Sequence, residues 1–148
     1  MTNSVNYHAV SNRLGGVQIW ALPEGTTDGR SPVRINLNAS GEVLNKQGWG
    51  IFHTVNSFVG PRQKKNLVRV NSWFVEIDDG TKPEMLKKIR SGLKPTMVVE
   101  SKRGYHVYFA CLDTDFELCK KTWDEIMKKR LIPFYGGDKK AADICRLS

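Results

Sequence analysis

Glu76 and Asp78 stand two residues apart at the end of the apolar run Trp73-Phe74-Val75-Glu76-Ile77-Asp78. A strand alternates its side chains between two faces, so both carboxylates project from the same one. Held that close they repel, and a divalent cation between them relieves the repulsion. Hard oxygen donors suit Mg2+ or Mn2+, ions that bridge phosphate oxygens in phosphoryl transfer. The plain alternative is a polar strand end running into the Asp79-Gly80 turn, and spacing alone leaves both readings open. Asp79 falls on the opposite face and reads as a turn residue.

A second group follows at Ser101-Lys102-Arg103-Gly104-Tyr105-His106. A hydroxyl, two cations and a glycine in one short turn make a candidate phosphate cradle, with His106 just inside the returning strand. The alternative is a solvated basic hairpin tip beside a structural histidine. His8 and His53 have no such company and receive no role. The stretch Gly136 to Arg146 adds two acids, Asp138 and Asp143, and Arg146; alone it reads as a mixed-charge loop.

Val68 to Asp78 reads as one strand, with Trp73, Val75 and Ile77 on one face and Phe74, Glu76 and Asp78 on the other. Thr81 caps a helix over Lys82 to Ser91, with Pro83 in its first turn and Gly92 past its end. Met85, Leu86, Ile89 and Leu93 supply its apolar stripe. A hairpin joins Thr96–Glu100 to Tyr105–Cys111. The capping box Thr114-x-x-Glu117 then starts a second helix, with apolar Phe116, Cys119, Trp123, Ile126 and Met127 at the 3.6-residue period. It is expected to run to about Leu131 and stop at Pro133. The order β-α-β-β-α, with a last strand or turn near 134–145, predicts an α+β fold: an RRM-like (ferredoxin-like) antiparallel sheet, two helices on one face and the other face open to ligands. Ahead of it, Val17–Leu22 and Pro32–Leu37 read as strands around a long turn, Asn38–Gln47 as a loop, Trp49–Val55 as β and Gly60–Lys65 as a basic loop. The chain is thus expected to be a single domain, with residues 1–46 a β-rich extension of a 47–148 core.

The composition fits this. The 148 residues are 40% hydrophobic and 26% charged, which excludes wholesale disorder. No apolar run approaches the roughly 20 residues a bilayer span needs. The first residues lack the basic and apolar regions of a signal peptide, so a cytoplasmic protein is expected. Three cysteines without a C-x-x-C pair argue against a structural zinc and a disulfide scaffold. A net charge of +8 suits a polyanionic partner.

Together these segments resemble the archaeo-eukaryotic primase (AEP) superfamily, especially the primase-polymerases of phages and plasmids. Phe74-Val75-Glu76-Ile77-Asp78 looks like its first motif, with Glu where Asp is more usual. Glu100 through Tyr108 looks like the second, and Gly137-Asp138 through Leu147 resembles the third. Gly48 to Asn56 looks like what precedes the first motif in phage members. The resemblance covers roughly residues 47–148. It implies a DNA primase/polymerase core that transfers nucleotides from NTP or dNTP to a 3′ hydroxyl, using two divalent ions. Glu76 and Asp78 would bind the metal, with Asp143 or Asp138 as third carboxylate. His106 would contact the triphosphate, with Ser101, Lys102, Arg103 and Arg146 around it. Arg62, Lys64, Lys65 and the Lys87–Arg90 stretch would hold a DNA template or primer. A fused or associated helicase is the implied partner, with no membrane and a host-cytoplasm location for a phage- or plasmid-encoded chain. Relatives continue past Arg146, so the chain is expected to be cut short within its third motif or to be an unusually short protein.

Two rival readings use the same residues. Arg103-Gly104-Tyr105 opens like an RNA-recognition motif, and Tyr105, Tyr108 and Phe109 could stack bases in a non-catalytic nucleic-acid-binding module. A rolling-circle replication endonuclease shares a related sheet order. It needs a His-x-His pair, which is absent, and a helical tyrosine, which neither expected helix carries.

Overall fold

The computed structural model describes residues 16–23, 31–35 and 39–148. The expected turn at 24–29, the end of the 32–37 strand and His8 lie outside the described residues. At the front, β1 (Ile19–Pro23), β2 (Val33–Ile35) and β3 (Trp49–His53) form an antiparallel sheet in the order β2-β1-β3. Helix α1 (Ala39–Lys46) stands where a loop is expected. Its largely polar sequence, broken by Gly41, hides any helical period. It ends through Gln47 N–H on Val43 O (3.1 Å) and Gly48 N–H on Asn45 O (3.1 Å), with Gly48 at φ 84°, a stop signal that favours glycine.

β4 (Ser57–Phe58) pairs with β5 (Leu67–Arg69), and a 3-10 turn at Lys64–Asn66 precedes β5. The expected strand from Val68 to Asp78 is therefore two strands. β5 belongs to this small ribbon, while β6 (Ser72–Ile77) opens the main sheet. Asn71 causes the break: its amide donates to Val55 O (3.2 Å) and Ser57 Oγ (2.9 Å), its carbonyl accepts from Arg69 Nε (2.7 Å), and its N–H donates to Asn56 Oδ1 (3.0 Å). A side chain engaged on three sides fixes a bend a regular ladder cannot hold.

The main sheet runs β6-β8-β7, with β7 spanning Met97–Glu100 and β8 Tyr105–Ala110, all antiparallel. Helix α2 (Lys82–Ser91) matches expectation, with Thr81 as its cap; the structure adds a capping box, in which the Glu84 side chain accepts from Thr81 N–H. Met85 and Ile89 are buried, but Leu93 lies beyond the helix end and is 70% exposed. Helix α3 (Phe116–Ile126) is capped one residue later than expected, by the Asp115 carboxylate accepting from Leu118 N–H (3.0 Å). It does not stop at Pro133. A π-helical turn, Met127–Leu131, leads into a short α4 (Ile132–Tyr135), where Pro133 sits in the first turn and its missing N–H matters least.

Both long helices contribute to the core on the Trp73/Val75/Ile77 face. Trp73 meets Trp123 at 5.4 Å between ring centroids, and Phe109 meets Tyr135 at 5.9 Å. Phe74, Met127, Val75 and Val107 are fully buried, and truncating the largest of them would cost about 3–5 kcal/mol. The opposite face is not open along its length, as the strand order alone suggests. Phe74 is sealed against Tyr108 (5.0 Å), which stacks with His53 of β3 (6.3 Å). The cover is completed by residues 146–148, which run antiparallel to 53–55 through Val55 N–H on Arg146 O (3.2 Å), His53 N–H on Ser148 O (2.9 Å) and Ser148 N–H on His53 O (2.8 Å). No fourth strand joins the main sheet among the described residues. A 3-10 turn, Lys139–Ala142, occupies that stretch, and Asp138 N–H donates to Glu76 O (2.8 Å) along the β6 edge.

Candidate functional site

The antiparallel register sets Glu76 directly opposite His106 and Phe74 opposite Tyr108. Glu76 Oε1 lies 3.7 Å from His106 Nε2, and Glu76 Oε2 accepts from Arg146 Nη2 at 2.9 Å. The three side chains are 20%, 18% and 29% exposed. Ser148 Oγ lies 3.3 Å from His106 Nδ1 and also contacts the Tyr108 hydroxyl. Burial holds the His106 imidazole below its ordinary 6.5, and Arg146 pushes the same way. Glu76 and Asp78 pull upward without prevailing, so His106 is neutral at neutral pH. Asp78 lies just past β6, exposed, at the open end of this face.

The 101–104 turn closes on itself: Ser101 N–H donates to Gly104 O (2.8 Å) and Gly104 N–H to Ser101 Oγ (3.1 Å). The Ser101 hydroxyl therefore shapes the turn, and Lys102 and Arg103 stand exposed, with no ion pair among the described residues. Gly104 owes its place to close approach. A Cβ there would lie 1.8 Å from Ile77 O and 2.9 Å from Asp78 Cα. The turn is thus seated against the backbone that presents Asp78. Gly137 does the same on the other side, where a Cβ would meet Val75 Cγ1 at 2.6 Å and Glu76 O at 3.1 Å. Lys82, missed in the sequence, braces the turn through Glu100 Oε1 (2.6 Å) and Ser101 O (2.9 Å). A lysine opening a helix shortly after two acids was the available signal.

Other expected residues fall elsewhere. The Asp138 carboxylate caps the 3-10 turn by accepting from Lys140 N–H (2.9 Å). Asp143 accepts from Cys145 N–H (2.9 Å) and lines a groove along α3 together with Lys64 and Trp123. Neither joins Glu76 and Asp78, and among the described residues no three His, Cys, Asp or Glu side chains gather to hold a metal. A pair of same-face carboxylates, one exposed, does fit a magnesium-type ion that takes its remaining ligands from water and substrate phosphates. Arg62 is engaged internally, donating to Cys145 O (2.5 Å) with its guanidinium over the Trp20 ring (5.3 Å). Lys64, Lys65, Lys87, Lys88 and Arg90 are exposed.

The aromatic residues of the stacking reading are not free for bases. Tyr105 and Tyr108 are 6% and 4% exposed, and Phe109 faces α4. The extended helical segment does carry a tyrosine, Tyr135, but it is 4% exposed. None of the helices described is long and apolar enough to cross a membrane.

No protein-family model matches the sequence, and no curated protein matches it. Among solved structures, the AEP domain (PP-N190) of the cyanophage S-2L primase-polymerase (PrimPol) is similar. The match has a TM-score of 0.79 at 18% identity and covers 99% of this chain and 79% of that one. The chain has the mixed α+β fold, with antiparallel sheets, of an AEP domain.

Proposed function

We propose that this chain is a catalytic domain for nucleotidyl transfer of the primase-polymerase type, acting on nucleoside triphosphates and a DNA template with primer. The observation that carries this is the juxtaposition of Glu76, His106 and Arg146 beside Asp78 and the exposed Lys102-Arg103 turn. Acids inside a basic surround suit a triphosphate and its counter-ion better than either partner alone. Glu76 and Asp78 would hold Mg2+ or Mn2+, which when bound supplies charge neutralisation at the phosphates. Lys102 and Arg103 would bind the outer phosphates, and neutral His106 would donate one hydrogen bond to them. Arg146 holds the Glu76 carboxylate in place and offers its remaining donors to the same phosphates. Lys64, Lys65 and the α2 cations would hold the template backbone with salt-sensitive, sequence-independent affinity.

Calorimetric titration with a dNTP tests this. Binding is expected with Mg2+ or Mn2+, to vanish with chelator, and to weaken about tenfold or more in Lys102→Ala, Arg103→Ala, since charge-assisted hydrogen bonds carry about 1.5–3 kcal/mol each. Equal binding with and without the ion would refute the proposal and favour the binding-module reading.

A further inference from the structure

Cys111 follows β8 directly, and Cys119 lies in the first turn of α3, eight residues on. Their Sγ atoms are 3.3 Å apart, and both sulfurs sit near Asp113 O (4.0 and 3.8 Å). The C-x7-C spacing carries no motif, so the sequence gives no reason to pair them. Cys119 is 3% exposed while Cys111 is partly exposed, so one thiol is reachable from solvent and the other waits behind it. That asymmetry is the layout of an attacked and a resolving thiol. Cys145, the third cysteine, has no sulfur neighbour among the described residues.

We propose that Cys111 and Cys119 form a reversible disulfide that ties the end of β8 to the start of α3. The oxidant is a low-molecular-weight disulfide of the glutathione class. The Cys111 thiolate attacks one of its sulfurs, an S–S bond forms to the protein, and one small thiolate leaves. The Cys119 thiolate then attacks Cys111 Sγ, the intramolecular bond closes, and the second small thiolate leaves. The protein loses two electrons and two protons; the small disulfide gains both and departs as two thiols. Closure needs an approach of about 1.3 Å to reach disulfide bond length, within the swing of a side chain at the edge of a loop. Burial, the neighbouring Cys111 sulfur and the Asp113 and Asp115 carboxylates push the Cys119 thiol up to about 11. Closure by the Cys119 thiolate therefore quickens as pH rises.

The test is intact-mass and peptide mapping of the natively folded chain after incubation with oxidised glutathione. Expected is a loss of about 2 Da, reversed by a dithiol, with Cys111 and Cys119 joined in one peptide pair. Cys145→Ser should behave identically. Cys119→Ser should instead stop at a single glutathione adduct on Cys111. Wild-type protein that stays reduced, accumulates the adduct alone, or links through Cys145 would overturn the proposal. If Cys119→Ser fails to fold, the wild-type and Cys145→Ser masses still decide it.

Discussion

Gly104→Ala separates the position of the basic turn from its charge. The added Cβ would stand 1.8 Å from Ile77 O, against a floor of 3.0 Å for real contacts. The turn must therefore retreat by about 1.2 Å, or β6 must yield at the residue that presents Asp78. Both neighbours are backbone, so no flexible side chain can absorb the displacement. Overpacking of this kind costs about 1–3 kcal/mol, which corresponds to a fall in melting temperature of roughly 3–12 °C for a chain of this size. A displacement near 1 Å in a catalytic constellation also costs about 10²-fold in rate. Thermal unfolding and nucleotide incorporation should be measured side by side, with Lys102→Ala, Arg103→Ala as the companion variant. The companion should keep the wild-type melting temperature and lose triphosphate affinity; Gly104→Ala should lose on both counts. A Gly104→Ala protein with unchanged melting temperature and activity would refute the close approach and the seating of the turn against Asp78.

Arg146→Ala should leave Glu76 with one cationic neighbour fewer; loss of that part-buried hydrogen-bonded pair is expected to cost about 1–3 kcal/mol in denaturant unfolding. The same variant should raise the His106 pKa, since Arg146 is one of the influences lowering it, and an imidazole NMR titration reads this directly. For the wild type, the folded state resists His106 protonation while the unfolded state accepts it near 6.5, so stability is complete above that pH and declines as pH falls below it. His106→Gln should flatten that part of the stability–pH curve. Lys82→Met should leave the fold nearly intact, at about 1 kcal/mol or less, yet weaken triphosphate binding by loosening the Glu100–Ser101 end of the hairpin.

Some local signals were legible in the sequence. Thr81, Pro83 and Gly92 are neighbours in the chain and define α2 without tertiary help, whereas the start of α3 fell one residue from the expected cap, at Asp115. The hairpin around Gly104 and the common face of Glu76 and Asp78 follow from the same short-range logic. Features that need distant partners were not legible. The break at Asn71 depends on backbone and side-chain groups at 55–57, and the cover over Phe74 depends on residues 146–148 crossing to 53–55. α1 lacked any periodic apolar stripe to announce it. At the site, Glu76 meets His106 through the pairing of β6 with β8, strands separated in the chain by α2 and β7, and Arg146 arrives from seventy residues away. Charge alone pointed to Arg62 as a nucleic-acid contact, yet its guanidinium serves Cys145 O and Trp20. The third carboxylate, sought at Asp138 or Asp143, illustrates the same limit: short-range hydrogen bonds occupy both.

Extension of a primed DNA template with dNTPs, titrated with Mg2+ and Mn2+, tests the central claim most directly. The wild-type chain is predicted to extend the primer with the ions and not with chelator, and Glu76→Ala, Asp78→Ala to abolish extension while remaining folded. Undiminished extension by the double variant, or no extension by folded wild-type protein with either ion, would contradict it.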